Sequence, residues 1–189
     1  MRARRPLILA SLLPLAVALS ACGARGGQST VADTGAFYVR AGSLTYQVQI
    51  SRALNAYSVE DKGYLAGLPA GTTAPGASEE WFGVFVWAQN FSHHAHVTVP
   101  PTAFDIVDTQ GNTYYPVQLN PGVNPYAWTS MTLQPNDQEP VPNSTAAFGP
   151  TGGGELLFKI NNSAYSNRPL TLQIHAPGQA TPSTVSLDL

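Results

Sequence analysis

The run Trp81-Phe82-Gly83-Val84-Phe85-Val86-Trp87-Ala88-Gln89-Asn90 constrains this chain more than any other stretch. Aromatic and β-branched residues fit a pleated, half-buried surface, which makes it a central strand of an antiparallel sheet. Side chains alternate across a strand, so Phe82, Val84, Val86 and Ala88 share one face and Trp81, Phe85 and Trp87 the other. A strand that is apolar on both faces needs cover on both. If one face is left open, it presents an aromatic patch of the kind that marks interaction sites.

Other segments repeat the period of two. Ser43 to Ile50 places Leu44, Tyr46, Val48 and Ile50 on one side and polar residues on the other. Phe37–Val39, His96–Val99, Phe104–Val107, Tyr114–Val117, Glu155–Ile160, Leu170–Ile174 and Val185–Leu189 complete the extended segments. Asp108-Thr109-Gln110-Gly111-Asn112 has the chemistry of a tight turn, and Pro100-Pro101 breaks the chain before Phe104. Residues 57–80 and 120–130 hold no sustained period and are expected to be long loops, the first with one helical turn near Tyr64–Leu68. Seven or eight strands without an amphipathic helix favour an all-β, two-sheet antiparallel sandwich. The 17 glycines and 16 prolines suit such a turn-rich fold, since helices tolerate neither well.

The first thirty-odd residues read as an address. Arg2, Arg4 and Arg5 precede the apolar run Leu7–Leu19, a signal-peptide layout too short for a membrane span. Leu19-Ser20-Ala21-Cys22 then resembles the lipobox of bacterial lipoproteins. That resemblance implies removal of residues 1–21 and acylation of Cys22, the single cysteine of the chain. Two or more acyl chains anchor stably where one is marginal, so the expected partner is a membrane, with the body facing outward from the bacterial cell. Residues 22–35, rich in Gly, Ser and Ala, are expected to be a flexible tether of about 20 Å reach. Residues 36–189 are expected to be the folded domain.

Charge narrows the partners further. The net charge is −2, and −5 once the three leader arginines are set aside. Lys62 and Lys159 are the only lysines and form no phosphate-binding stripe, so nucleic acid is not expected as a partner.

Several stretches in order resemble the immunoglobulin-like, telokin-like domains of unknown function found in bacterial lipoproteins and secreted antigens. They are Val84-Phe85-Val86-Trp87-Ala88-Gln89-Asn90, then Phe104-Asp105-Ile106-Val107-Asp108 with Gly111 and Tyr114, then Leu133-Gln134-Pro135 ahead of Leu156-Leu157-Phe158. The resemblance spans about residues 43–189. It implies an immunoglobulin-like sandwich, an extracytoplasmic home and no catalytic residues. It also implies that Phe82, Val84, Val86 and Ala88 point inward. Asn136 stands where the family has Gly, and Asn tolerates the left-handed backbone such a turn needs.

Trp81, Phe85 and Trp87 are therefore the candidate contact face, with Tyr126 and Trp128 at its edge and an envelope protein, peptide or glycan as partner. The competing expectation is that residues 57–80 or 120–130 fold over this face and make a second small core. His93, His94 and His96 are the candidates for zinc or copper, since residues two apart on a strand share a face. A tetrahedral site wants three or four convergent ligands, and a solvated polar turn is the plainer expectation. The sequence holds no Gly-x-Ser-x-Gly elbow, and lipidation leaves no free cysteine. Glu79-Glu80 and Asp105 with Asp108 read as strand-end and turn carboxylates, so neither an enzyme nor a cofactor is expected.

Overall fold

The computed structural model describes residues 29–187, so the leader, Cys22 and the first part of the expected tether lie outside the described residues. The strands are β1 (Val31–Ala32), β2 (Val39–Ala41), β3 (Leu44–Leu54), β4 (Glu79–Gln89), β5 (His96–Val97), β6 (Phe104–Val107) and β7 (Thr113–Tyr114). They continue with β8 (Pro116–Val117), β9 (Thr132–Leu133), β10 (Gln138–Glu139), β11 (Gly154–Asn161), β12 (Leu170–Ile174) and β13 (Ser183–Leu187). One sheet runs β1-β13-β12-β6-β7 and the other β2-β3-β4-β11-β8, with β10 also paired to β4. β5 and β9 form a separate ribbon. The all-β sandwich expected from the alternating segments is the observed architecture.

The core lies between the two large sheets. Phe82, Val84, Val86 and Ala88 of β4 are each fully buried and face Phe104 and Ile106 of β6, Leu172 and Ile174 of β12 and Val185 of β13. Each large apolar side chain so buried contributes about 1.5–3 kcal/mol. Two aromatic side chains clamp the Val99 backbone within this core. Tyr46 Oη accepts from the Val99 N–H at 3.1 Å, and Trp128 Nε1 donates to the Val99 carbonyl at 2.9 Å.

The polar residue that ends β4 has a structural reason. Asn90 is wholly buried, and its Nδ2 donates to the carbonyls of His94 (2.7 Å) and Leu133 (2.9 Å). Its Oδ1 accepts from the backbone and hydroxyl of Ser92. A buried amide with all its groups paired fixes the loop and the β9 end together. Nearby, Asn136 adopts φ 69°, the left-handed conformation expected where the family has Gly.

β3 corrects one expectation. Its alternation holds through Leu44, Tyr46 and Val48, and then the register with β4 shifts by one residue at Gln49. Ile50, expected inside with that set, pairs with Phe85 on the outer face and is 39% exposed. A bulge turns every later side chain to the opposite face. Here it moves Leu54 beside Trp81 and Arg52 onto the outer face.

Three further details differ from expectation. Val31 and Ala32, expected within the tether, pair in parallel with Thr184 and Val185, so the fold begins before residue 36. Residues 61–67 make successive turns rather than a helical turn, with Tyr64 N–H on the Asp61 carbonyl and Ala66 N–H on that of Gly63. The chain at Tyr114–Val117 is not one extended piece. β7 pairs with β6 in the first sheet and β8 with β11 in the second, and exposed Tyr115 lies at the crossing.

Candidate functional site

The outer face of β4 is divided between a covered half and an open half. Trp81 is 3% exposed and Phe85 is fully buried, so both are corrected from surface residues to core. Leu54 and Leu157 flank them on the sheet, and Tyr64, Leu65 and Leu68 of the first loop and Tyr126 of the second close over the top. Tyr64 meets Phe85 edge-on at 5.0 Å between ring centres and Tyr126 at 4.7 Å. The second small core is thus present. Trp128, expected at the edge of the face, instead enters the main core, 5.6 Å from Phe104 and 6.2 Å from Tyr46.

Polar side chains that the sequence did not single out hold this cover in place. Asn124 is buried, and its Nδ2 lies 2.9 Å from the Tyr64 carbonyl, 3.2 Å from that of Ala66 and 3.1 Å from Glu155 Oε2. Its Oδ1 accepts from the Tyr126 N–H at 2.8 Å. One amide therefore joins both loops to β11. Gly67 has φ 72°, and a Cβ there would come within 2.9 Å of the Asn120 carbonyl oxygen, so only glycine lets the loops approach this closely.

Asp61 pairs with Arg52 at 2.5 Å and accepts from the Asn55 N–H at 2.8 Å. Burial raises the Asp61 carboxyl, but the Arg52 and Asn55 hydrogen bonds outweigh it and hold it below its usual range. Glu155 is 2% exposed, and its Oε1 is enclosed without a partner among the described residues. Burial pushes its carboxyl up to about 8 against the opposing Asn124 hydrogen bond. A neutral carboxyl beneath the loops is the result.

The open half holds Trp87. It pairs with Gln47 across β3, and the β2–β3 register carries the same row onto Tyr38. Trp87 is half-buried and Tyr38 is 51% exposed, with ring centres 5.9 Å apart. Amides stiffen the row: Gln49 Nε2 donates to Gln47 Oε1, and Gln47 Nε2 donates to the Ala36 carbonyl, each at 2.7 Å. Exposed Phe37 precedes Tyr38, and Ile50 follows the bulge. Of the expected contact residues, Trp87 and Tyr126 are both half-buried, but Tyr126 packs on the second core while Trp87 borders exposed Tyr38, a residue expected only in an edge strand.

His93 and His94 are exposed and His96 is half-buried at the start of β5. Among the described residues, no group of three or more His, Cys, Asp or Glu gathers as a metal site would require. His175 meets Asp105 through Nε2 at 2.7 Å on the opposite sheet. No described helix is long and apolar enough to cross a membrane.

No protein-family model and no curated protein matches this chain. Solved structures do. The yjhA protein from Bacillus subtilis superposes with a TM-score of 0.51 at 14% identity, over 83% of this chain and 99% of that one. A putative lipoprotein, ycdA, from Bacillus subtilis gives 0.46 at 9% identity, over 80% of this chain and 38% of that one. An uncharacterized beta-sandwich protein from Clostridium difficile 630 gives 0.41 at 8% identity, over 82% and 92%. In fold, then, the chain is similar to the yjhA protein along nearly all of that protein's length.

Proposed function

We propose that this protein is a lipid-anchored, outward-facing, non-catalytic binding module of the bacterial envelope, an immunoglobulin-like lipoprotein whose contact surface is the Tyr38–Trp87 row. The observation that carries the reading is selective cover. Two loops enclose Trp81 and Phe85, while Trp87, two residues further along the same face, stays half-buried beside exposed Tyr38. Aromatic rings on a stiff sheet offer large contact area at low entropic cost, which suits an envelope protein, peptide or glycan. The lipobox supports the anchoring, and the missing nucleophile elbow and free thiol support the absence of catalysis.

Anchoring is tested by growing cells with labelled palmitate. Label on the wild type and its loss in Cys22→Ala, with release of the variant from the membrane fraction, is the expected result; an unlabelled wild type refutes the anchor. Contact is tested with Tyr38→Ala/Trp87→Ala. The double variant keeps a cooperative thermal transition, lowered by only a few degrees, and loses association with the isolated envelope, whereas unchanged association refutes the surface. The histidine reading gains nothing from the fold, because His93 and His94 project at an exposed turn without a third ligand among the described residues.

A further inference from the structure

We infer that a cleft at the edge of the sandwich, independent of the Tyr38–Trp87 surface, binds a primary ammonium group through Glu139. β10 pairs Glu139 with Ala88, whose side chain lies in the main core, so the Glu139 carboxylate leaves the sheet on that inner face. There it lines a cleft of about 220 Å³ with Thr129, Ser144, Met131, Val141 and Ala146. That space is roomy enough for several waters or a short alkylammonium. Glu139 is 6% exposed, and its carboxylate makes no hydrogen bond or ion pair with any described residue.

A carboxylate buried without a partner is costly, and proteins resolve the cost by a proton, a paired cation or a ligand. Among the described residues, no Lys, Arg or His lines this cleft to serve as the partner. Burial alone lifts the carboxyl to about 7, so near neutral pH it alternates between the proton and the charged form. The charged form is the one that accepts a cation.

The lining selects among cations. A single carboxylate does not make a metal site, and among the described residues no cluster of three ligating residues includes it. Quaternary ammonium is recognised by aromatic walls, and this cleft has Met, Val, Ala and Pro instead. A primary ammonium brings three donors on a compact head. Glu139 takes one; Thr129 and Ser144 also line the cleft, the Ser144 hydroxyl accepting from the Ala147 N–H at 3.2 Å with a second lone pair left, and Met131 and Val141 supply apolar wall for a short alkyl body.

The test is calorimetry of the full chain with n-propylammonium chloride, with n-propanol as the neutral control. At pH 8 the wild type binds propylammonium saturably with Kd about 1 mM, an affinity within the range of a single buried charge pair. At pH 5.5 binding weakens at least tenfold, and at pH 7 about half a proton is released per ligand bound, measured in buffers of different ionisation heat. Glu139→Gln, near-isosteric, abolishes the binding. Val141→Lys, placed at a 47% exposed wall position, supplies its own ammonium and blocks the probe. Lack of saturation at pH 8, equal binding of n-propanol, or unchanged binding in either variant overturns the assignment.

Discussion

Glu155 makes stability depend on pH in a direction opposite to the usual carboxylate. In the unfolded chain its carboxyl titrates at the ordinary value of 4.5, and in the fold burial raises it to about 8. Between those values the folded state holds a proton that the unfolded state has lost, so stability is full below pH 4.5 and drains as pH rises toward 8. At 1.36 kcal/mol per unit, Glu155 alone removes roughly 2–3 kcal/mol between pH 5 and 7. Glu139, raised to about 7, removes roughly 2 kcal/mol more over the same interval. Asp108 does not interfere. Burial raises its carboxyl, but hydrogen bonds from Asn112, Asn167 and the Gln110 N–H outweigh that and hold it at about 2, so its contribution fades only below pH 4. Gln at 155 keeps an acceptor for Asn124 Nδ2 and cannot ionise. Urea unfolding of wild type and Glu155→Gln at pH 5, 6 and 7 and constant ionic strength measures the difference. The wild type should lose roughly twice as much stability across the range as the variant, about 4–5 against about 2 kcal/mol. Parallel pH profiles for the two proteins would refute a proton held on Glu155.

Other consequences are simpler. Trp81→Ala empties the second core and should cost about 3–5 kcal/mol in chemical denaturation, against a smaller loss of about 1–2 kcal/mol for half-buried Trp87→Ala. Equal losses would contradict the division of the β4 face. Asn136 at φ 69° should accept Gly without loss, while Asn136→Val should cost about 1–2 kcal/mol for placing a branched side chain in left-handed backbone. A Val variant that melts with the wild type would mean the turn has another conformation.

Much of the fold was legible because its strands obey a period of two. Leu170–Ile174 coincides with its expected bounds, and the inward set Phe82 to Ala88 follows from alternation alone. Ile50 was misplaced because a bulge at Gln49 leaves no mark in hydrophobic pattern; Gln is as ordinary on a paired strand as on a bulge. The double-sided apolar character of β4 announced cover or contact, but which half received cover depends on where two long loops return. Tyr64, Leu65 and Leu68 were visible as apolar residues in a polar loop, and they are the ones that cover Trp81 and Phe85. Glu155 and Glu139 were not legible as unusual. A carboxylate at a strand end is solvated by default, and only the packing of the 121–131 loop, through Asn124 against Glu155 and through Thr129 and Met131 beside Glu139, encloses it.

The division of one strand face into a covered and an open half carries the functional account, and acrylamide quenching of tryptophan fluorescence tests it most directly. The chain has three tryptophans, two of them enclosed. Trp87→Phe should remove the quenchable emission, while Trp81→Phe and Trp128→Phe leave it in place. Quenching that survives in Trp87→Phe, or that disappears in Trp81→Phe, would contradict the account.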